Sequence, residues 1–342
     1  MVDYLIIGAG FSGATCAERL ARAGHSVMVI DARPHIAGNA FDCYDEAGIL
    51  VSRYGAHVFH CNDQRIVDYL SQFTKWRPYT HRVLSSVNGQ LLPVPINMTT
   101  LSAFGGDEAA ARLAMVQPYS RKQWGPYAEQ LSSTVLARIK TRDNFDDRYF
   151  TDAFQQMPAG GYTRLVERML TRPNITVRLG TWLAGAFLLD KTARAWTEWA
   201  SDQVIYTGPI DEFFGHRYGR LPYRSARFEF ETLSREWFQP VAVVNYPSED
   251  VAYTRIAEFK HLTGQQHANT TIVYEYPQAD GYFWPVPTAA SAECYKRYAS
   301  LAATIPWVHF VGRLGRYQYL DIHAVVAQAL KLSKTLIQES RH

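Results

Sequence analysis

A chain of 342 residues exceeds what one hydrophobic core usually organises, so two or three packed units are expected. Its net charge of +3, from 35 basic and 32 acidic residues of mixed placement, argues against a nucleic-acid binder and leaves room for local basic pockets around an anionic ligand. Cys16, Cys43, Cys61 and Cys294 lack CxxC spacing and read as reduced thiols of a cytoplasmic protein, no apolar run nears a membrane span, and the first strand starts too early for a signal peptide.

The apolar run Tyr4-Leu5-Ile6-Ile7 meets Gly8-Ala9-Gly10-Phe11-Ser12-Gly13, then a helical segment to Arg22, then a second apolar run from Ser26 to Ile30 that closes on Asp31. This order of strand, glycine turn, helix, strand and acid is the context in which GxGxxG marks a dinucleotide site. Gly8 permits the tight turn, Gly10 lets the backbone approach a pyrophosphate, and Gly13 lets helix and strand pack closely. The pyrophosphate then sits at the helix N-terminus, and Asp31 accepts from an adenosine ribose hydroxyl. A second small-residue turn, Ile36-Ala37-Gly38-Asn39, offers the further close backbone approach that a longer flavin dinucleotide needs.

His57 and His60, three apart in Tyr54-Gly55-Ala56-His57-Val58-Phe59-His60, read as hydrogen-bonded histidines at a strand end; no companion spacing favours a metal. Asn62 or Asp63 caps a helix through Phe73, and Asn88-Gly89 joins two hairpin strands, His81 to Val87 and Gln90 to Val94. Met98 to about Lys140 is helical, with Asp107 capping Glu108 to Val116 and Ser132 or Ser133 opening a segment through Arg138. Within it, Tyr119-Ser120-Arg121-Lys122-Gln123-Trp124-Gly125 alternates basic and aromatic residues, a pattern able to stack a base while cations face phosphate.

Gly160-Gly161-Tyr162 opens another helix, and Ile175 to Leu179 and Gln203 to Tyr206 are returning strands. Tyr223 to about Pro285 is β-rich, with clean alternation at Arg227 to Glu231, Val251 to Phe259 and Thr271 to Tyr276. A helix at Ala290 to Ala302 precedes the strand Trp307 to Arg313, which runs into Gly312, and Ile322 to Ile337 closes the chain as a helix. This second strand-glycine-helix, at the far end, suits a flavoprotein and makes the first and last segments neighbours in space.

Assembled, the runs GAGFSGATCAERL, YGAHVFHCND, YSRKQWG, NFDDRYF, YTGPIDEFF, YRSARFEFE, YTRIAEFKH and FVGRLGRYQYLDIH resemble the prokaryotic UDP-galactopyranose mutase family over nearly the whole chain. The resemblance implies an α/β fold: a Rossmann-like FAD-binding domain (residues 1–75, 160–212 and 303–342), an inserted helical domain with a mobile loop (98–159), and an inserted six-stranded antiparallel sheet (76–97 and 213–302). It implies an isomerase that interconverts UDP-galactopyranose and UDP-galactofuranose through an adduct of reduced-flavin N5 with the sugar, without net redox. FAD is the implied cofactor, NAD(P)H a candidate reductant, and a homodimer a candidate assembly.

Carried over position by position, Arg138 and Arg255 clamp the diphosphate, Tyr119 stacks on uracil, Trp124 lies at the sugar pocket, and Tyr149 and Tyr319 place hydroxyls near phosphate, with Asp321 beside them. His57 and His60 approach the flavin ring. Arg313, after Gly312, favours the reduced anion, and Gly38 and Asn39 follow the ribityl chain. The chain departs from the pattern at Trp284, where a tyrosine is usual, since an indole donates but cannot accept, and at Met115, near the uridine. Both changes touch the substrate, so a mutase for another UDP- or TDP-hexopyranose stays open. An amine-oxidase-like FAD oxidoreductase and a flavin binder without catalysis compete with the mutase.

Overall fold

The computed structural model describes residues 1–131, 139–195 and 197–340. Strands β1 (Val2–Ile7) and β2 (Val27–Asp31) are apolar on both faces because both are covered, and α1 (Phe11–Arg22) crosses between them. Gly13 is required where α1 passes β1, since a Cβ there would stand 1.8 Å from the Gly8 carbonyl oxygen. The ribbon β3 (Asp42–Tyr44) and β4 (Leu50–Ser52) leads to β5 (Phe59–Cys61) and α2 (Gln64–Ser71), which Asp63 caps by accepting from Arg65 N. After β6 (Trp76–Pro78) the expected hairpin joins β7 (Val83–Val87) to β8 (Gln90–Val94), with positive φ at Asn88 and Gly89. Helices α3 (Met98–Ala103), α4 (Glu108–Met115) and α5 (Gln117–Trp124) follow, the first two capped by Asn97 and Asp107.

The chain continues through β9 (Phe154–Pro158), α6 (Gly161–Met169), β10 (Ile175–Leu179), α7 (Gly185–Leu189), α8 (Lys191–Ala195), β11 (Ser201–Tyr206) and α9 (Ile210–Phe213). Strands β12 (Tyr223–Leu233), β13 (Val243–Asn245) and β14 (Arg255–Glu258) precede α10 (Phe259–Thr263), β15 (Thr270–Gln278) and β16 (Trp284–Pro285). Last come α11 (Ala289–Ala302), β17 (Val308–Phe310), α12 (Gly312–Gly315) and α13 (Ile322–Glu339).

Five strands make a parallel sheet in the order β10-β2-β1-β11-β17, so both ends of the chain share it. Alternation splits its core: Tyr4, Ile6 and Val29 join Val326 and Leu336 of α13, whereas Leu5, Ile30 and Val204 pack with Leu188 and Phe213 on the other face. The second sheet has seven strands, β16-β12-β15-β14-β13-β7-β8, where six antiparallel ones were expected. Its β13–β7 pair is parallel, which the long connection between the hairpin and β13 permits.

Local expectations also change. Of Val251 to Phe259 only Arg255–Glu258 pairs as a strand, because Phe259 and Leu262, buried at helical spacing, start α10. Strands β6 and β9, expected in the sheet and helical units, instead pair with each other, and β9 also pairs with β5. Helix α11, expected in the sheet unit, packs on α9 and β17. Among the described residues no helix is long and apolar enough to cross a membrane.

Candidate active site

The C-terminal ends of the parallel strands open onto a cavity of about 390 Å³ lined by Gly8, Gly10, Asp31, Gly38, Asn39, Thr207, Trp182 and Arg313, among others. Its floor is shaped by missing side chains. Gly8 has φ +108° and a Cβ there would strike Thr207 Oγ1, while a Cβ on Gly38 would come within 3.1 Å of Gly10 Cα. The two glycine turns are thus packed against each other, tied by the Ala37 N–H donating to Ala9 O at 2.9 Å. Gly10 caps α1 without a side chain, leaving the helix N-terminus to an anion. Asp31 accepts from Ala9 N at 2.8 Å and Arg33 N at 2.9 Å, so it braces the first turn and the end of its own strand and keeps lone pairs for a ribose hydroxyl. Gly13 and Gly312 do not line the cavity; Gly312, at φ +87°, makes room for Ser12. This glycine-formed cradle fits a dinucleotide.

A second cavity of about 200 Å³ adjoins the first, and Asn39, His57, Arg313 and Ile322 line both. Its walls bring together His57, His60, Tyr119, Tyr149, Arg255, Trp284, Tyr319 and Asp321, all singled out from the sequence. Trp124 does not line it. It is buried with Leu131 and Val286, its ring 6.0 Å from that of Tyr319, and so backs the wall. Met115 is likewise buried away from both cavities. Arg138 lies outside the described residues.

Charge is held here by partners built into the sheet. Strand register sets Arg255 opposite Glu275, with Nε 2.9 Å from Oε2. Burial works against the Arg255 charge, but Glu275 and the phenols of Tyr119, Tyr319 and Tyr149 outweigh it and raise its pKa above the usual guanidinium value. Burial raises the Glu275 pKa, opposed by Arg255 and the Ala56 N–H. The Arg313 guanidinium donates to the carbonyls of Leu320 and Phe283 and lies 5.6 Å from the Tyr319 ring centre, so its charge is fixed where the cavities meet.

His57 Nδ1 is 2.9 Å from the Gly55 carbonyl, which can only accept, so Nδ1 carries the proton. Burial lowers its pKa to about 4, with Arg313 and Arg255 pushing the same way; the neutral ring keeps Nε2 as an acceptor. Burial likewise lowers His81 to about 3 and raises Tyr119 to about 12.

Sequence reasoning missed Glu275, His81, Asn245 and Tyr54, which line the second cavity, and Asp152, which holds His60. Glu275 had one signal, an acid on the buried side of an otherwise apolar strand. The others had none.

A family model described as UDP-galactopyranose mutase matches residues 114–319, and one described as an NAD(P)-binding Rossmann-like domain matches residues 6–73. A probable UDP-galactopyranose mutase of Klebsiella pneumoniae is 36% identical over 368 residues, covering 96% of this chain and 93% of its own. The dTDP-fucopyranose mutase of Escherichia coli is 31% identical over 380 residues, covering 100% of both. A solved structure of reduced UDP-galactopyranose mutase shares the fold at a TM-score of 0.79 and 15% identity, covering 99% of this chain and 96% of its own. On this footing the chain belongs to the UDP-galactopyranose mutase family, and it is an isomerase of the mutase type.

Proposed function

We propose that the protein binds FAD in the larger cavity and, with the flavin reduced, interconverts UDP-galactopyranose and UDP-galactofuranose in the smaller one. The observation that carries this reading is Arg255, half-buried and paired with the buried Glu275 carboxylate in a cavity that opens onto the dinucleotide cradle through His57, Asn39 and Arg313. Gly8, Gly10, Asp31, Gly38 and Asn39 would hold FAD, which when reduced would supply a nucleophilic nitrogen for the reaction. The rest is positioning. Arg255, joined by Arg138, holds the diphosphate so that the nucleotide stays close while it is detached from the sugar. Tyr119 offers its ring to the base, Tyr149 and Tyr319 offer hydroxyls, and Arg313 favours negative charge beside the flavin. NAD(P)H is the proposed reductant.

A dTDP-6-deoxyhexose is the second reading, favoured by the full-length similarity to a dTDP-fucopyranose mutase and by Trp284, whose indole cannot accept from a sugar hydroxyl. Incubation of FAD-loaded, dithionite-reduced protein with UDP-galactopyranose and dTDP-fucopyranose, followed by chromatography, should yield a furanose isomer from at least one. Interconversion of neither, with electron transfer to an added acceptor, overturns the proposal.

A further inference from the structure

His60 stands between two carboxylates. Its Nδ1 is 3.0 Å from Asp152 Oδ2, and its Nε2 is 3.7 Å from Asp321 Oδ2. The ring is buried and stacks on Phe150 with centroids 3.6 Å apart and planes 11° from parallel, and His323 meets its edge at 5.1 Å. Phe150 carries His81 on the same stack. With Nδ1–H donated to Asp152, a neutral His60 would turn a lone pair toward the Asp321 carboxylate. Two acceptors so close favour one shared proton between them. His60 and Asp321 both line the smaller cavity, and Asp152 does not.

Opening a pyranose puts a proton on its ring oxygen, and reclosure as a furanose takes one from another hydroxyl, with no net uptake. Such a reaction needs a group that gives a proton and takes it back. We infer that His60 and Asp321 hold that proton and that Asp152 is a positioning residue, which fixes the imidazole with Nε2 toward the cavity and supports its charged form. The inference rests on the mutase reading for its chemistry. The groups that act most strongly on His60 include Asp152 and Asp321, which favour the imidazolium, and His323, with His81 on the same ring stack; Arg255, Arg313, Glu275, His57 and Tyr149 share its cavity. Burial opposes the imidazolium and is the larger influence, so the second proton is held loosely enough to leave.

Asp152→Asn keeps the side chain's shape and accepting oxygen but removes its charge. In the reduced, FAD-loaded enzyme it should move the alkaline limb of the kcat profile down by about one pH unit, with flavin content and UDP affinity within about twofold of the parent. Titration of His60 by 15N NMR should show the same displacement. His60→Gln, which keeps an amide toward Asp152, should abolish that limb and lower kcat by about 10²- to 10⁴-fold. An unchanged pH profile with an unchanged His60 titration overturns the inference, as does a uniform loss of rate that tracks lost flavin. If the parent enzyme isomerises neither nucleotide sugar, the proposed function fails by itself, while the His60 titration in Asp152→Asn still decides on the pair.

Discussion

Arg255→Met tests the ion pair at the centre of the site. Arg255 is proposed to hold the diphosphate, and hydrogen bonds to charged groups are worth about 1.5–3 kcal/mol each, so UDP should bind roughly 10- to 150-fold more weakly. The substitution also strands Glu275, only 3% exposed, without its counter-charge. Removing one partner of a buried pair costs about 3–5 kcal/mol of stability, and the acid escapes part of that cost by taking up a proton. Burial already raises the Glu275 pKa, and loss of Arg255 raises it further. The folded variant then binds more protons than the unfolded chain between the unfolded and folded pKa values of Glu275, so its stability falls as pH rises through that window.

Calorimetric titration with UDP, and thermal unfolding at pH 5 and pH 8, separate the two effects. Arg255→Met should be closer to the parent in melting temperature at pH 5 than at pH 8. Arg255→Met with Glu275→Gln should recover stability at pH 8 without recovering UDP binding. Parent-like UDP affinity in Arg255→Met, or a stability deficit that does not change with pH, refutes the reasoning.

Gly13→Ala pushes a methyl group to within 1.8 Å of a backbone oxygen, so α1 must shift; the purified protein should carry less flavin per chain by visible absorbance. His57 and His81 are held near pKa 4 and 3 by burial, below the ordinary value of 6.5, so the stability they lend is full above pH 6.5 and lost as pH falls toward 4 and 3. Melting temperatures between pH 7 and pH 4 should drop, and His81→Gln should flatten part of that drop. Lys122 Nζ donates to the carbonyls of Tyr246, Ser248 and Tyr253 in the loop before Arg255. Lys122→Met should make that loop a faster site of chymotrypsin cleavage at Tyr246 and Tyr253, with the parent's pattern elsewhere.

The dinucleotide cradle was legible because backbone geometry alone dictates its residues: Gly8 needs positive φ, and Gly13 and Gly38 need the space a Cβ would fill. The hairpin at Asn88-Gly89 and the caps at Asp63 and Asp107 were legible for the same local reason. The second cavity was legible only through family resemblance, since Tyr119, Arg255 and Asp321 lie on separate elements that nothing in their spacing joins. What stayed hidden depends on pairing across the fold. Glu275 faces Arg255 through the register of β14 and β15, and Asp152 reaches His60 across 92 positions of sequence. The motif around Trp124 points to the pocket, yet tertiary packing turns the indole behind Tyr319.

The five-stranded parallel sheet takes its central strands from the start of the chain and its edge strand β17 from near the end, and α13 lies on α1. During synthesis the glycine turns therefore emerge long before the layers that sandwich them. The seven-stranded sheet, whose strands are all translated by Pro285, can assemble on the ribosome first. Until β17 joins the sheet and α13 covers α1, the glycine turns lack one of their supporting layers, so a chain cut short before Val308 should not form the closed cradle.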